Sequence, residues 1–358
     1  MAKKKSSQKK KATKKRVPVA ATTGGPITLD EAKALAVPLR PSRAMKRGKA
    51  ITKATPEMVG LERRRRAIAV RDENRRRTTE YAATLRLMKK RGVADPKQPV
   101  RQRTLAAPKV VQPLQIFAEG DSWFDYPVPF FGGGIVPRLE KLLGVPILNL
   151  AKAGDEVRFM LGVEERKLLI KQFMNGCPAG GAWDAVLFSG GGNDIVGNPM
   201  ALWVKDFDQN TPIEDHLHAQ RFDNVLGLVR AGYEDLIEMR DNLSPTTKLI
   251  FHGYDFAIPD GRDICYFGPW LKPTFDLRRF PDQAAATKVV KEMLLRFATM
   301  LSQIAAVHKG VLFINTQGTL APVSNSWHNE LHPTKKGFQQ FAVRFQKELK
   351  VLFPHKVL

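Results

Sequence analysis

Ser122 stands in a sequence setting that suits a nucleophile. It ends the tripeptide Gly120-Asp121-Ser122, directly after the apolar run 114–118, which predicts a short buried strand. Gly120 permits a tight turn after that strand, and ligands of an open parallel α/β sheet bind at the carboxyl ends of its strands. The alternative interpretation is a serine that caps the N-terminus of the following helix.

Three more polar segments follow predicted strands further along the chain. Gly154 comes after the second predicted strand, Asn193 after the third strand and three consecutive glycines, and His332 after the fifth strand. In a parallel sheet these segments meet at one edge. Together they offer a hydroxyl, several N–H donors and an imidazole.

These groups are the ones that acyl transfer requires. A neutral hydroxyl is a poor nucleophile and needs a neighbouring base. The tetrahedral intermediate carries an oxyanion that N–H donors stabilise, and the loss of one such donor typically costs about 3–4 kcal/mol of barrier. The four segments therefore predict hydrolysis of a carboxylic ester, with no metal or organic cofactor.

The order and local sequence of these segments resemble the SGNH hydrolases, also called GDSL-type lipases and esterases, over residues 115–350. Gly120-Asp121-Ser122 matches the first motif of that family, and Gly191-Gly192-Asn193-Asp194 matches the third. The resemblance implies that Ser122 is the nucleophile and His332 the general base. It also implies an oxyanion hole formed by the Ser122 and Gly154 backbone N–H groups and the Asn193 amide.

One position departs from the family pattern. The family places an Asp three residues before its His, and this chain has Asn329 there. That acid orients the imidazole, and in serine proteases its replacement by Asn costs about 10⁴ in turnover. Three interpretations remain: a backbone carbonyl or water orients His332 in a dyad, Glu330 reaches the imidazole, or the site is weak or inactive. Asp255 is a more distant candidate to supply the charge.

Other residues near these motifs have plainer interpretations. His328 lies four residues before His332, a spacing that helical zinc ligands share, but Pro333 ends any preceding helix and no third ligand is evident. The sequence therefore predicts no metal site. The Pro-rich and aromatic segment 255–279 is interpreted as a lid or acyl-chain wall, with an ordinary surface loop as the alternative.

Short apolar strands alternate with amphipathic helices from residue 111 onward. Strands are predicted at 114–118, 146–150, 185–189, 248–252 and 311–314, and helices at 155–174, 222–240, 282–307 and 335–352. This alternation predicts βαβ units and a parallel sheet covered on both faces. The expected fold is a three-layer α/β/α sandwich of flavodoxin-like type with about five strands.

The positive charge of the chain is confined to its first third. Residues 1–110 carry 32 Lys and Arg against 8 Asp and Glu, and the remainder carries 26 against 27. We divide the chain into a basic disordered tail and linker at 1–55, a basic helical extension at 56–110 and a hydrolase domain at 111–358. Because the centre of the extension holds no apolar residue, we expect an exposed helix that is dispensable for hydrolysis.

The basic extension also suggests partners. Residues 1–92 favour affinity for nucleic acid or another anionic surface, although no aromatics interleave with the basic blocks to stack on bases. One alternative function is thus a weak or inactive hydrolase-fold scaffold whose basic arm binds a polyanion. A second alternative is a carbohydrate O-acetyl esterase, an activity that the resembled family includes.

The cysteines and the apolar segments of the sequence bear on where in the cell the protein is located. Two cysteines, Cys177 and Cys265, are too few for a disulfide framework. No apolar segment follows the basic start, and no run reaches the roughly 18 apolar residues of a membrane span. We expect a cytoplasmic protein without a transmembrane segment, with export by a signal-independent route left open.

Overall fold

The computed structural model describes residues 114–126, 133–177, 181–263, 268–321 and 323–356. Upstream it describes residues 64, 68, 71–72, 75–79 and 81–83, all helical, and the backbone of 100–101 and 110–111. The tail predicted at 1–55 lies outside the described residues. The chain divides into two compact units, Met1–Ala69 and Val70–Leu358.

The second unit is built on a five-stranded parallel sheet, as predicted. Two short strands come first and pair antiparallel, β1 (Val100–Arg101) and β2 (Val110–Val111). The central sheet then contains β3 (Ile116–Gly120), β4 (Ile147–Asn149), β5 (Ala185–Ser189), β6 (Lys248–His252) and β7 (Val311–Ile314). Its strand order is β4-β3-β5-β6-β7, and every neighbouring pair is parallel.

This order is that of a doubly wound sheet with one switch point. The chain moves outward from β3 to β4 and then crosses back to β5 on the other side of β3. Loops after the two strands at such a point diverge to opposite faces and leave a crevice at their carboxyl ends. The turn with Ser122 follows β3, and the segment with Asn193 follows β5.

Helices cover both faces of the sheet. They are α1 (Val136–Leu143), α2 (Val157–Met160), α3 (Val163–Asn175), α4 (Gly192–Ile195), α5 (Ala219–Leu243), α6 (Lys272–Leu277), α7 (Gln283–Val307) and α8 (Lys335–Leu352). Successive residues of β6 contact opposite layers: the Phe251 ring meets Tyr233 of α5, and the His252 ring meets Phe345 of α8. Burial from both sides explains why the strands are continuously apolar rather than alternating.

The predicted elements fit the structure closely at strands and less well at helices. The helix expected at 155–174 is two helices, α2 and α3, because the backbone of Gly162 between them is extended. Glycine is unfavourable in a helix interior. Helices α1 and α6 were not predicted. Both are short and begin with proline in the first turn.

The basic segment upstream of the sheet is only partly exposed. Arg71, Asp72 and Arg75 are exposed, as the lack of apolar residues predicted. Tyr81, however, is 4% exposed, packs against Trp183 and donates its hydroxyl to Gln115 Oε1 at 3.1 Å. The expectation of a wholly exposed helix is wrong at this end, because one aromatic residue suffices to attach it to the core.

No helix in the described part of the chain is long and apolar enough to cross a membrane.

Candidate active site

The turn after β3 holds Ser122 through its neighbour Asp121. Asp121 Oδ1 accepts hydrogen bonds from the Ser189 hydroxyl and the Trp123 backbone N–H, and Oδ2 accepts one from the Tyr254 hydroxyl. Gly120 is required here, since a Cβ at this position would lie 2.5 Å from the Ser189 carbonyl oxygen. Asp121 is thus a structural anchor of the turn, the role we expected for it.

Ser122 meets His332 across the edge of the sheet. The Ser122 Oγ lies 2.7 Å from His332 Nε2, although the two residues are 210 positions apart. His332 is held in the turn before α8, where Thr334 caps the helix by accepting a hydrogen bond from Gly337 N–H. The Trp123 indole N–H donates to the Leu331 carbonyl and ties this turn to the serine turn.

Asn329 takes the position that an acid holds in the family pattern. Its Oδ1 lies 2.9 Å from His332 Nδ1 and also accepts the backbone N–H groups of Leu331 and His332 at 3.0 and 2.9 Å. Two N–H donors that face the same atom require an oxygen there, so the amide orientation is fixed. Nδ1 of His332 therefore carries its proton, and Nε2 is free to accept the Ser122 proton.

This geometry bears on which group orients His332, the question behind two of the three interpretations left open by the sequence. The group that orients His332 is the side chain of Asn329 itself, and Glu330 is directed elsewhere. The Glu330 carboxylate is fully buried and accepts backbone N–H groups from residues 261, 270, 271 and 272. Asp255 accepts backbone N–H groups at 256, 318 and 320. Both acids anchor loops.

Tyr126 completes the arrangement, and sequence reasoning did not single it out. The Asn329 amide donates to the Tyr126 hydroxyl at 3.1 Å, and that hydroxyl lies 2.9 Å from His328 Nδ1. The Tyr126 ring also stacks on the His332 imidazole, with centroids 4.3 Å apart and planes 17° from parallel. The only signal in the sequence was an aromatic residue four positions after the serine.

The predicted oxyanion donors lie on three loops at the same edge. Among the described residues, neither the Ser122 nor the Gly154 backbone N–H has a hydrogen-bond acceptor. Gly154 has φ of +84°, a conformation that disfavours a side chain. The Asn193 amide donates to the Asp155 carbonyl at 2.8 Å, which fixes the side chain and leaves its second amide proton for a ligand. Asp194 accepts the Val157 N–H and holds the start of α2.

An apolar cavity opens beside Ser122 and His332, with a volume of about 40 Å³. Leu271 and Ala257 line one side, and Val290, Met293 and Leu294 of α7 line another. Leu271 and Ala257 belong to the 255–279 segment, so described residues of that segment supply one wall of the cavity. Residues 264–267, including Cys265, lie outside the description. No group of three or more His, Cys, Asp or Glu among the described residues is arranged to hold a metal ion.

The electrostatic setting keeps the imidazole neutral. Burial, together with His328, lowers the pKa of His332 to about 3. Burial raises the pKa of Asp121 to about 6 despite its hydrogen bonds with Tyr254, Trp123 and Ser189. No acidic side chain takes the place of the missing Asp at Nδ1, so nothing there offsets the desolvation of an imidazolium.

We therefore expect ester hydrolysis to persist in mild acid. A free imidazole has a pKa of about 6.5, so kcat/KM would ordinarily fall tenfold per pH unit below that value. With the pKa lowered, the neutral base remains available, and kcat/KM is expected to stay level between pH 7 and pH 5. Initial rates in buffers of constant ionic strength measure this.

Acid stability is the necessary control for that profile. Because the folded-state pKa of His332 is lowered, its contribution to stability is present above pH 6.5 and is lost as the pH falls towards 3. Asp121 acts in the opposite sense, with its contribution present below its unfolded pKa and lost as the pH rises through about 6. Samples returned from pH 5 to pH 7 should recover full activity. A tenfold loss per unit below pH 6.5 with intact folding would contradict the prediction.

Comparisons with known proteins find likeness in structure and none in sequence. No protein-family model matches the chain, and no curated protein matches it by sequence. Similar solved structures include the lipase Lip_vut3 from a goat rumen metagenome (17% identity, 65% of this chain and 96% of that chain, TM-score 0.43). Others are an extracellular lipase from Streptomyces rimosus (16%, 65% and 99%, 0.42) and a family 3 carbohydrate esterase from Clostridium thermocellum (16%, 68% and 98%, 0.38).

Further similar structures are described as SGNH hydrolase and GDSL-like lipase candidates. This chain is similar in structure to SGNH hydrolases, GDSL-like lipases and carbohydrate esterases.

Proposed function

We propose that this protein hydrolyses carboxylic esters through an acyl-enzyme on Ser122. One observation carries the proposal: the Ser122 hydroxyl lies 2.7 Å from His332 Nε2, while His332 Nδ1 lies 2.9 Å from Asn329 Oδ1. A hydroxyl, a base and an orienting acceptor joined in this order produce an activated serine.

Acylation begins when Ser122 Oγ attacks the ester carbonyl carbon. The hydroxyl proton moves to His332 Nε2, and the carbonyl oxygen becomes an oxyanion. The Ser122 and Gly154 backbone N–H groups and the Asn193 amide supply its hydrogen-bond donors. When the intermediate collapses, the imidazolium returns the proton to the departing alcohol oxygen, and the acyl group remains on Ser122.

Deacylation repeats these steps with water. His332, neutral again, removes a proton from a water molecule that attacks the acyl carbon. The same three donors stabilise the second oxyanion, and the imidazolium then protonates Ser122 Oγ. The acid leaves and the free enzyme is restored, so all proton transfers use His332 alone.

The volume of the cavity favours a short acyl group. Its volume is about 40 Å³, and one water molecule needs about 10–15 Å³ on the same measure. The cavity therefore accepts a group of about three heavy atoms, as in an acetyl or propionyl group. This size also favours the second candidate function, removal of O-acetyl groups from a carbohydrate.

A fluorophosphonate probe and a graded ester panel test the proposal. We expect the probe to label the wild-type protein on Ser122, located by peptide mass spectrometry, and acetyl esters to be cleaved faster than octanoyl esters. Release of acetate from acetylated oligosaccharides would favour the carbohydrate esterase over a general short-chain esterase.

The matched control is Ser302→Ala, which removes an exposed serine from α7. That variant should label like the wild type, whereas Ser122→Ala should not label. An unlabelled wild type would contradict the proposal. If it also bound DNA in a salt-sensitive way through residues 1–92, the inactive scaffold would be favoured.

A further inference from the structure

Arg77 is the residue of the basic segment that reaches the candidate active site. Its guanidinium is half-buried, and Nη1 donates to the Asn149 carbonyl at 3.0 Å and to the Ala151 carbonyl at 2.5 Å. Nη2 donates to Asp125 Oδ2 at 2.6 Å. These three acceptors and Arg77 form what we call the Arg77 cluster.

The acceptors of the cluster belong to two different catalytic loops. Asp125 lies three residues after Ser122, in the turn that follows β3. Asn149 ends β4, and Ala151 lies three residues before Gly154. Arg77 therefore joins the turn of the proposed nucleophile to the loop of a proposed oxyanion donor.

Asn149 strengthens the same connection from the other side. Its side-chain amide donates to the Phe124 carbonyl at 3.3 Å, and its Oδ1 accepts the Ala151 N–H at 3.1 Å. The two loops are also joined by a backbone bond from the Lys152 N–H to the Gly120 carbonyl at 2.8 Å, and the guanidinium adds one contact to the first loop and two to the second. Asp125 and Arg77 are both shielded enough from water for their ion pair to be only partly screened.

The bonding pattern suits arginine in particular. A guanidinium is a rigid planar group with five N–H donors, so it can hold three acceptors in fixed directions. A lysine ammonium at the end of a flexible chain would reach one or two of them. Other basic residues of the segment, such as Arg71 and Arg75, are exposed.

Tyr81 fixes the segment at a second point. It lies four residues after Arg77, so both side chains project from one face of the helix. Tyr81 bonds Gln115, the residue directly before β3. The segment is therefore attached near both the beginning and the end of the strand that leads to Ser122.

We propose that Arg77 is a positioning residue, which sets the distance between the Ser122 turn and the Gly154 loop. The inference rests on the proposed function, because it assigns the two loops to one oxyanion hole. It also argues against the expectation that residues 1–92 are dispensable for hydrolysis, because deletion of these residues would remove both Arg77 and Tyr81.

Kinetics of full-length variants test this inference. Displacing one wall of an oxyanion hole by a fraction of an ångström is expected to lower kcat for Arg77→Ala by about 10- to 100-fold, with little change in KM. Arg77→Lys should lie between Arg77→Ala and the wild type. Arg75→Ala removes an equal charge from the same segment and should match the wild type.

Chemical rescue separates positioning from loss of folding. Millimolar guanidinium should restore part of the activity of Arg77→Ala by binding at the vacated place, whereas sodium chloride at equal ionic strength should not. Activity of Arg77→Ala equal to that of Arg75→Ala would overturn the inference. The inference would also be overturned if the activity lost in Arg77→Ala equalled its unfolded fraction and guanidinium restored none of it.

Amide hydrogen exchange tests the inference without relying on catalysis. Peptides that cover 121–126 and 149–156 should exchange faster in Arg77→Ala than in Arg75→Ala, because local opening of both loops becomes easier. If the wild type proves inactive towards esters, the proposed function fails while this result still decides whether Arg77 holds the loops. Equal exchange rates of both peptides in Arg77→Ala and Arg75→Ala would contradict the positioning role of Arg77.

Discussion

Replacing Ser122 or His332 by alanine is expected to lower kcat for ester hydrolysis by about 10⁴- to 10⁶-fold. In the proposed mechanism the two residues act as one unit, since the serine oxygen, 2.7 Å from the imidazole, depends on it for removal of the hydroxyl proton. The double variant should therefore be no worse than either single variant. Steady-state rates with an activated acetyl ester would measure all three proteins.

His355→Ala is the control for the histidine substitution, because His355 is exposed near the end of the chain. It should retain wild-type activity, and each inactive variant should keep its thermal unfolding midpoint within a few degrees. Additive losses in the double variant would show that Ser122 and His332 do not act together, and the proposed mechanism would then be wrong.

Asn329→Ala is expected to reduce kcat by about 10³-fold, somewhat less than the loss of the orienting acid in serine proteases. The variant removes the acceptor at His332 Nδ1 and leaves the buried Leu331 and His332 N–H groups unsatisfied. Asn329→Asp should instead raise kcat at pH 7 by about tenfold, because a carboxylate stabilises the imidazolium formed in the transition state. The N–H groups that now face Oδ1 would also stabilise that carboxylate.

The two variants differ further in their pH profiles. A carboxylate at position 329 favours protonated His332, so the acid limb of kcat/KM in Asn329→Asp should move to higher pH than in the wild type. Measuring both profiles gives the comparison. A lower kcat with an unmoved acid limb would mean that the amide has a positive role which a carboxylate cannot fill.

Tyr126→Phe provides a second check on the role of Asn329. With Asn at 329, the Tyr126 hydroxyl accepts the amide proton and helps keep Oδ1 towards the imidazole. A carboxylate has two equivalent oxygens and cannot present the wrong atom. Tyr126→Phe should therefore cost more activity in the Asn329 protein than in the Asn329→Asp protein, and equal costs would argue against this role of Tyr126.

The strands were predictable because each is buried on both faces. Residues 185–188, 249–251 and 311–314 form apolar runs, and the strands that contain them, at 185–189, 248–252 and 311–314, have the predicted bounds. Once the strands are known, right-handed crossovers leave few arrangements. Ser122 and His332 could then be assigned to one edge of the sheet, although 210 positions separate them.

The hydrogen bonds of Asn329 and Glu330, next to His332, could not be predicted from the sequence in the same way. The Asn329 amide also donates to the Tyr126 hydroxyl, 203 positions away in the chain, and the sequence around Asn329 does not indicate this contact. Glu330 was a reasonable candidate by proximity in sequence, but four backbone N–H groups from another loop determine where its carboxylate points. Neither fact has a local pattern in the sequence.

The buried end of the basic segment could not be predicted from hydrophobic periodicity. Hydrophobic periodicity detects a helix that packs along a whole face, and residues 71–80 have none. The attachment relies on one guanidinium and one aromatic ring, Arg77 and Tyr81. Contacts of this kind are specific but too few to produce a periodic signal.

The carboxylate of Glu330 has a practical consequence for redesign of the enzyme. Glu330 holds the backbone of residues 270–272, whereas Asn329, its immediate neighbour in the chain, holds the imidazole of His332. Remodelling the loop that carries Leu271 to enlarge the cavity would therefore also disturb His332, the proposed general base. Met293 and Leu294 line the same cavity from α7. Smaller side chains at these two positions would therefore enlarge the cavity without changing the contact between Ser122 and His332.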